Sequence, residues 1–372
     1  MRWNWQQEDW PQFSYDAAQI QNLEQDFSEK NHFLSGAYHF LAQGQQHALQ
    51  LDLLSQEALK TSEIEGEFLN RDSLRSSMAK KLGLQTENYK ISPAEQSIVE
   101  MTLKVNQTFN QPLTTEQLLE WHLLLTQTRF DLIRVGSYRT HEEPMQVISG
   151  HSYKTKIHFE APPSKQVKHE MSRFIKWFNE TSPAGKNPLS ALIRASITHL
   201  YFESIHPFED GNGRIGRALV EKALAQCIGH TSLIALSTII ANDKKNYYLA
   251  LEKANKSNEI TRWLLYFSHT ILSAQAYTQK LIRFLVEKTR IYEKAKYQIN
   301  ARQEKVITRM FGEGLSGFAG GLSAENYISI ANTSRATATR DLSDLVEKLI
   351  LRKTGQLKST RYTLNISFNE DE

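Results

Sequence analysis

The residues best suited to chemistry lie in one short segment, HPFEDGNGRIGR at 206–217. His206 can accept a proton from an attacking hydroxyl near neutral pH. Asp210 is a hard oxygen ligand that suits Mg²⁺, a metal that takes one or two carboxylates together with substrate phosphates and water. Arg214 and Arg217 share a helix face, and guanidinium groups match phosphate oxygens. The combination predicts phosphate binding and proton transfer at one site.

Two helices must position this segment. One is predicted over Leu189–Ile205 and is ended by Pro207, and the next is predicted over Ile215–Ile228. Gly211 and Gly213 permit positive φ, so backbone N–H groups can converge on an anion at the start of the second helix, where the dipole favours negative charge. The same dipole disfavours the two arginines, which either a bound polyphosphate or the neighbouring acidic residues must compensate.

As an ordered set, the segment resembles the signature of the Fic family, His-Pro-Phe-x-(Asp/Glu)-Gly-Asn-Gly-Arg-x-x-Arg, with no departure. The resemblance extends over about Ser92–Ala274, where Gly136, Tyr138 and Arg139 look like the family's G-x-Y-R turn. It implies a protein adenylyltransferase that transfers AMP from ATP, with Mg²⁺, to a Tyr, Thr or Ser hydroxyl of a protein. Pyrophosphate leaves in an in-line displacement, and positioning and electrostatics supply most of the catalysis.

The resemblance also assigns roles. His206 deprotonates the target hydroxyl and Asp210 holds Mg²⁺, while the phosphates are held by Gly211, Asn212, Gly213, Arg214 and Arg217. The adenine pocket of the family resembles Tyr248, Leu251 and Asn255, which fall at helical spacings and share a face. Core packing explains Tyr248 and Leu251 equally well.

Two further segments resemble parts of the family. A β-hairpin is predicted over Met145–Phe159, with Ser149-Gly150 after its first strand, and it resembles the flap against which a target protein is aligned by strand addition. Upstream, an inward-facing helical stripe ends at Glu65, before a helix stop at Gly66. TSEIEG, from Thr61 to Gly66, resembles the family's inhibitory motif, whose Glu pairs with the second arginine, here Arg217. A surface Glu on a frayed helix end is the alternative.

The rest of the chain indicates a mainly α-helical protein. Its 372 residues favour several domains, its net charge of +3 argues against a chain that is wholly a polyanion binder, and its single cysteine suggests a reducing, cytoplasmic compartment. No apolar run approaches the ~20 residues of a membrane span. The sequence is consistent with either a monomer or a homo-oligomer. We expect an N-terminal helical region with the inhibitory helix, a Fic core, a connecting helix and a C-terminal module, at 1–90, 91–274, 275–300 and 301–372.

The C-terminal module has the pattern of a winged helix-turn-helix. Ala324–Ala331 and Ser334–Lys348 are predicted helices, and a second hairpin at Ile350–Leu364 forms the wing. Arg335 to Arg361 carries seven basic and three acidic residues. A DNA partner and a protein partner, through residues 301–368, are both consistent with this pattern.

Three alternatives to transfer follow from the same residues. Because His206 and Glu65 are both present, the site permits the reverse hydrolysis of an AMP-protein bond. The C-terminal module permits a DNA-binding regulator in which the Fic core senses nucleotide. A metal hydrolase built on His199, Glu203 and His206 is remote, because Pro207 ends the helix beside the last ligand.

Overall fold

The computed structural model describes residues 2–149, 156–318 and 320–366. It divides into two compact units, one formed by residues 1–39 and 46–278 and the other by residues 40–45 and 279–372. The expectation of a mainly helical fold is confirmed. No helix among the described residues is long and apolar enough to cross a membrane.

The first unit contains most of the helices and one β-hairpin. A single 3₁₀ turn at Asn4–Gln6 precedes them, and the elements follow in this order: α1 (Ala18–Phe40), α2 (Gln43–Ile64), α3 (Arg71–Lys81), α4 (Pro93–Gln107), α5 (Thr115–Thr126), β1 (Gln146–Ser149), β2 (Lys156–Glu160), α6 (Ser164–Glu180), α7 (Ala191–Ile205), α8 (Asn212–Ile228), α9 (Leu236–Asn242), α10 (Lys244–Ala254) and α11 (Thr261–Ala295).

Helix α7 runs through the core of this unit. Every residue from Leu192 to Ile205 is buried, so the helix has no solvent-facing stripe. It packs closely on α8, and a methyl group added at Gly216 would lie within about 3 Å of the His199 ring. A helix fixed on all sides is a rigid support for the loop that follows it.

Helix α8 begins earlier than the sequence predicts. It starts at Asn212 rather than Ile215, and Gly211 before it has φ 85°. Gly211 therefore uses the positive φ that glycine permits, whereas Gly213 has helical backbone. The reason is that one left-handed residue suffices to turn the chain into the helix.

The hairpin predicted near residue 145 is present. Gln146–Ser149 and Lys156–Glu160 pair antiparallel, with a shift in register after Val147. The predicted turn residue Gly150 lies outside the described residues. Ile148 and Ile157 form a pair on this hairpin, and both are largely exposed.

The second unit has its own apolar core. Beyond the end of α11 it comprises α12 (Ala301–Gly312), α13 (Ala324–Ala331), α14 (Arg335–Glu347), β3 (Leu351–Thr354) and β4 (Arg361–Leu364). Ser323 and Ser334 cap α13 and α14, and the strands pair antiparallel. The helix and hairpin bounds predicted here are confirmed to within two residues.

The connecting helix was expected to begin near Gln275, but this stretch continues α11 without interruption from Thr261 to Ala295. Neither proline nor glycine occurs between these residues, so nothing in the sequence ends the helix at 275.

Candidate active site

A cavity of about 440 Å³ lies beside the end of α7. It is bounded by the hairpin, by α10 and by the end of α2. It is lined by His206, the predicted base, by Gly213, a predicted phosphate-binding residue, and by Glu65, the predicted inhibitory residue. Tyr248, Leu251 and Asn255 line the same cavity, as the adenine prediction requires. A space of this size fits a nucleotide-sized ligand.

The backbone of His206 is held in an uncommon conformation. It caps the C-terminus of α7 with φ 50° and ψ 62°, the left-handed region. Arg139 fixes this turn, because its Nε donates to the His206 carbonyl at 2.8 Å and its main-chain N–H donates to the Pro207 carbonyl. Arg139 also donates to the Pro162 carbonyl and to Ser164 Oγ at the base of the hairpin. One buried side chain thus ties the loop to the flap.

The ring of His206 has a carboxylate partner. Glu203, one turn earlier on α7, places Oε2 3.5 Å from His206 Nδ1. Burial raises the pKa of Glu203, but its neighbours, His206 first among them, outweigh burial and the pKa lies below its ordinary value. An ionised Glu203 favours the proton on Nδ1, which leaves Nε2 as the acceptor.

The inner side of the loop is held by neutral groups. Phe208 is fully buried and stacks on His122 at 4.1 Å between ring centroids. Asn212 uses both polar atoms of its side chain on the main chain of Phe208: Nδ2 donates to the carbonyl at 2.8 Å and Oδ1 accepts from the N–H at 3.0 Å. A phosphate contact by the Asn212 side chain would break one of these bonds.

Asp210 and Arg214 form an ion cluster on the outer side of the loop. Asp210 Oδ2 accepts from Arg129 at 2.6 Å and from Arg214 at 3.2 Å, and Arg214 Nη1 also donates to Glu67 at 2.8 Å. Burial raises the pKa of Asp210, but Arg214, the N–H of Gly211 and Arg129 outweigh it and lower the pKa below its ordinary value. Asp210 is therefore an ionised, partly exposed carboxylate.

Arg217 is bound by the end of α2. Its side chain is 1% exposed, its Nη1 lies 2.8 Å from Glu65 Oε1, and its Nε and Nη2 donate to the Thr61 hydroxyl and carbonyl. Gly66 has φ 84° where α2 ends. A methyl group at Gly213 would overlap the Glu65 carboxylate, so that carboxylate lies against the first turn of α8. This is where a helix N-terminus binds an anion.

The adenine candidates differ in their surroundings. Tyr248 is 37% exposed and its hydroxyl donates weakly to the Ile64 carbonyl. Leu251 is buried. Asn255 is buried and its Oδ1 accepts from Ser204 Oγ at 3.2 Å, so part of its side chain is already bonded.

Several contacts at the site were missed by sequence reasoning. Glu67 and Arg129 bind loop residues, and Asn4 is fully buried where it donates to Ser204 and to the Asn255 carbonyl. Their partners lie more than 80 residues away in sequence, so spacing gives no signal. Trp5 makes a further such contact, since its Nε1 donates to the Glu160 carbonyl of β2.

The metal-hydrolase arrangement is not formed. His199 Nε2 bonds the Tyr247 hydroxyl at 2.6 Å, and its ring stacks on Phe267. Within residues 2–149, 156–318 and 320–366, no cluster of three or more His, Cys, Asp or Glu is arranged to hold a metal ion.

Family models match two parts of the chain. Residues 112–224 match the Fic/DOC family and residues 3–84 match a domain of unknown function, DUF4172. The first match contains the loop, Arg139 and the hairpin, so this segment is similar to the Fic/DOC family. The second contains α2 and Glu65.

Three curated relatives have "protein adenylyltransferase" in their names. The chain is 28% identical over 98 residues to "Probable protein adenylyltransferase aq_aa38" of Aquifex aeolicus (26% of this chain, 27% of that protein). It is 28% identical over 116 residues to "Protein adenylyltransferase Fic" of Nematostella vectensis (31% and 25%), and 32% identical over 88 residues to the protein of the same name from Drosophila ananassae (24% and 16%). The matches thus span about a quarter or less of these relatives.

Solved structures show the same fold. A Fic domain containing signaling protein from Bacteroides thetaiotaomicron aligns with a TM-score of 0.52 at 21% identity, over 70% of this chain and 95% of that one. A Fic family protein from Desulfovibrio desulfuricans aligns with a TM-score of 0.50 at 19% identity, over 94% and 97%. The Fic fold is confirmed.

Proposed function

We propose that the protein is a protein adenylyltransferase that transfers AMP from ATP to a hydroxyl side chain of a protein and is autoinhibited by Glu65. The observation that carries the proposal is the shared cavity, in which His206 faces the space between the exposed hairpin and the helix start. The names of the relatives support the reaction class.

His206 is the general base in this proposal. Glu203 orients its ring from the Nδ1 side, so Nε2 takes the proton of the attacking hydroxyl. The hairpin brings that hydroxyl to the site, because a strand of the target can pair with its free edge and pack on Ile148 and Ile157. The start of α8 then binds the phosphates through its N–H groups and Arg214.

The residues present fit Mg²⁺ as a metal bound largely through substrate phosphates. Asp210 offers one ionised carboxylate beside the phosphate position, and its bond to the partly exposed Arg129 can be exchanged. When bound, Mg²⁺ would neutralise charge on the phosphate oxygens. All other roles belong to side chains and main-chain groups of this chain.

Autoinhibition follows from the position of the Glu65 carboxylate. It pairs with Arg217 and lies against Gly213, in the place where a phosphate is expected, so the two anions compete for one cation. An opposite charge this close to a buried cation is worth about 1.4–4 kcal/mol. The resting protein therefore binds ATP weakly or in an unproductive position.

The test is transfer of label from α-phosphate-labelled ATP with Mg²⁺ to proteins of a cell lysate. Glu65→Gly should raise transfer ~10-fold or more, the equivalent of the lost ion pair with Arg217. His206→Ala should lower it by about 100-fold or more in either background. Glu63→Gly is the matched control, since Glu63 lies at the same helix end but pairs with Lys60.

Absence of label from every protein, the enzyme included, with all variants would exclude the transferase. Equal transfer by wild type and Glu65→Gly at all ATP concentrations would exclude autoinhibition by Glu65. If label is transferred only from a nucleotide other than ATP, the transferred group is not AMP.

Reverse hydrolysis is the second candidate, because Glu65 and His206 line the same cavity and a carboxylate there can activate water. A chase of the labelled proteins with unlabelled ATP separates the two reactions. Loss of label that requires Glu65 would assign hydrolysis to the resting protein, and loss that is independent of Glu65 would exclude it.

A further inference from the structure

Helix α14 in the second unit has one buried side and one free side. Ala338, Leu342 and Leu345 are fully buried in the core of the unit. The opposite side has a run of exposed positions at helical spacing: Arg335, Ala336, Thr339, Arg340 and Ser343. Two arginines thus stand among small side chains, with Glu347 at the C-terminal end of the stripe and Glu325 of α13 3.4 Å from Arg335, both pair members largely exposed.

Two of the acidic residues between Arg335 and Arg361 form hydrogen bonds within the second unit. Asp341 is 5% exposed and accepts hydrogen bonds from Arg302 at 3.0 Å and from the Tyr327 hydroxyl at 2.9 Å. Asp344 accepts from Gln303 at 2.7 Å and from Lys348. Of the three acids between Arg335 and Arg361, only Glu347 is classed as exposed, so the surface is more basic than the sequence count suggests.

The β3–β4 hairpin carries charge of one sign. No Asp or Glu occurs from residue 348 to residue 366. Arg352, Lys353 and Lys358 are exposed on the hairpin and its loop. The described part of this hairpin therefore presents a basic edge, next in sequence to the basic face of α14.

We propose that α13, α14 and the β3–β4 hairpin form a winged helix-turn-helix that binds duplex DNA. The thirteen residues of α14 span about 20 Å and enter the major groove, where small side chains let the helix approach and arginines bond guanine edges. Hairpin lysines bind the phosphate backbone, which supplies affinity without sequence preference. A protein-docking face would instead present several large apolar side chains; none is exposed on α14, and the exposed Leu349 and Leu357 lie beyond its end.

The test uses the full-length protein and a fluorescent duplex of random sequence about three helical turns long. Anisotropy titrations from about 50 to 200 mM salt should show binding that weakens steeply, with a log–log slope of about −0.9 per phosphate contacted. The double variant Lys353→Ala/Lys358→Ala should weaken binding to every sequence and lower the slope by about 2.

Arg340→Ala reports on base contacts. On a duplex enriched from the random pool, it should weaken binding about 10-fold or more and relax sequence preference, with a smaller effect on the random pool. Lys305→Ala on α12 is the charge-matched control, since Lys305 is also exposed in this unit. Lys305→Ala and His206→Ala should both bind as the wild type does.

Absence of binding at low salt, binding insensitive to salt, or equal losses with Lys305→Ala and the hairpin variant would each overturn the proposal. The variants at Arg340, Lys353, Lys358 and Lys305 change exposed side chains, so their melting temperatures should match the wild type. Because the proposal does not depend on AMP transfer, an inactive Fic core leaves it standing.

Discussion

The two sides of the 206–217 loop are held by different kinds of partner. On the inner side, Asn212 bonds the main chain of Phe208, whose ring stacks on His122. On the outer side, Asp210 and Arg214 have charged partners that are partly exposed. Neutral bonds to the main chain fix the shape of the loop, whereas a carboxylate bound to an arginine can be exchanged for a phosphate without moving the chain.

The difference indicates a site that is preorganised in its backbone and switchable in its charges. Preorganised groups cost little rearrangement when the transition state forms, which is the main source of electrostatic catalysis. The three variants below test whether the inner side governs stability and the outer side governs ligand binding.

The largest effect is expected from Asn212→Ala on the inner side. The change leaves the Phe208 N–H and carbonyl buried without partners, so the free energy of unfolding should fall by about 3 kcal/mol. Urea unfolding followed by tryptophan fluorescence measures this in the first unit, since all six tryptophans lie between residues 3 and 263.

Asn246→Ala, an exposed amide bonded to Asp243 on α10, is the control and should be near neutral. A stable Asn212→Ala protein that no longer binds ATP would instead assign the amide to the phosphates.

A smaller effect concerns His122, also on the inner side. Burial lowers the pKa of His122 to about 4, and Nδ1 accepts the Gly136 N–H. The unfolded chain binds the proton near pH 6.5, so stability should fall as the pH drops from 6.5 towards 4, by about 2 kcal/mol by pH 4.5. His122→Asn keeps an acceptor but does not titrate, and it should lose this part of the slope in urea unfolding measured at several pH values.

His199, whose pKa burial also lowers to about 4, keeps its own contribution in that variant. If the free energy of unfolding falls equally with pH in the wild type and in His122→Asn, the His122 ring is not the group that resists protonation.

The smallest effect is expected from Glu67→Gln on the outer side. The Glu67 side chain is 35% exposed, and ion pairs of this kind contribute about 1 kcal/mol or less. Releasing Arg214 to the phosphates should lower the KM for ATP about 2- to 5-fold in a Glu65→Gly background. Glu63→Gln is the control. A higher KM would show that Glu67 positions Arg214 for ATP rather than competing with it.

Much of the loop could be predicted from sequence because its causes are local. Pro207 ends a helix, Gly211 turns the chain and Ser334 caps α14, and each acts on residues within four positions. The start of α8 was misplaced by three residues because two glycines give the same turn signal when one is sufficient.

The remaining contacts could not be predicted, because they join residues far apart in the chain. Arg129 approaches Asp210 across 81 positions and Glu67 approaches Arg214 across 147. Asn4 reaches Ser204 across 200. Such pairs depend on how the helices pack. The Thr61 and Glu65 contacts to Arg217 are equally distant, and the family resemblance, not periodicity, is what suggested them.

Because Gly213 has no side chain, the Glu65 carboxylate can lie against α8 and pair with Arg217, and this pairing also bears on stability. Arg217 is among the most buried cations of the chain, and a buried guanidinium without a counterion is strongly destabilising. The Glu65 carboxylate therefore also supports the fold. We expect Glu65→Gly to lower the melting temperature, and a nucleotide whose phosphates pair with Arg217 to restore it.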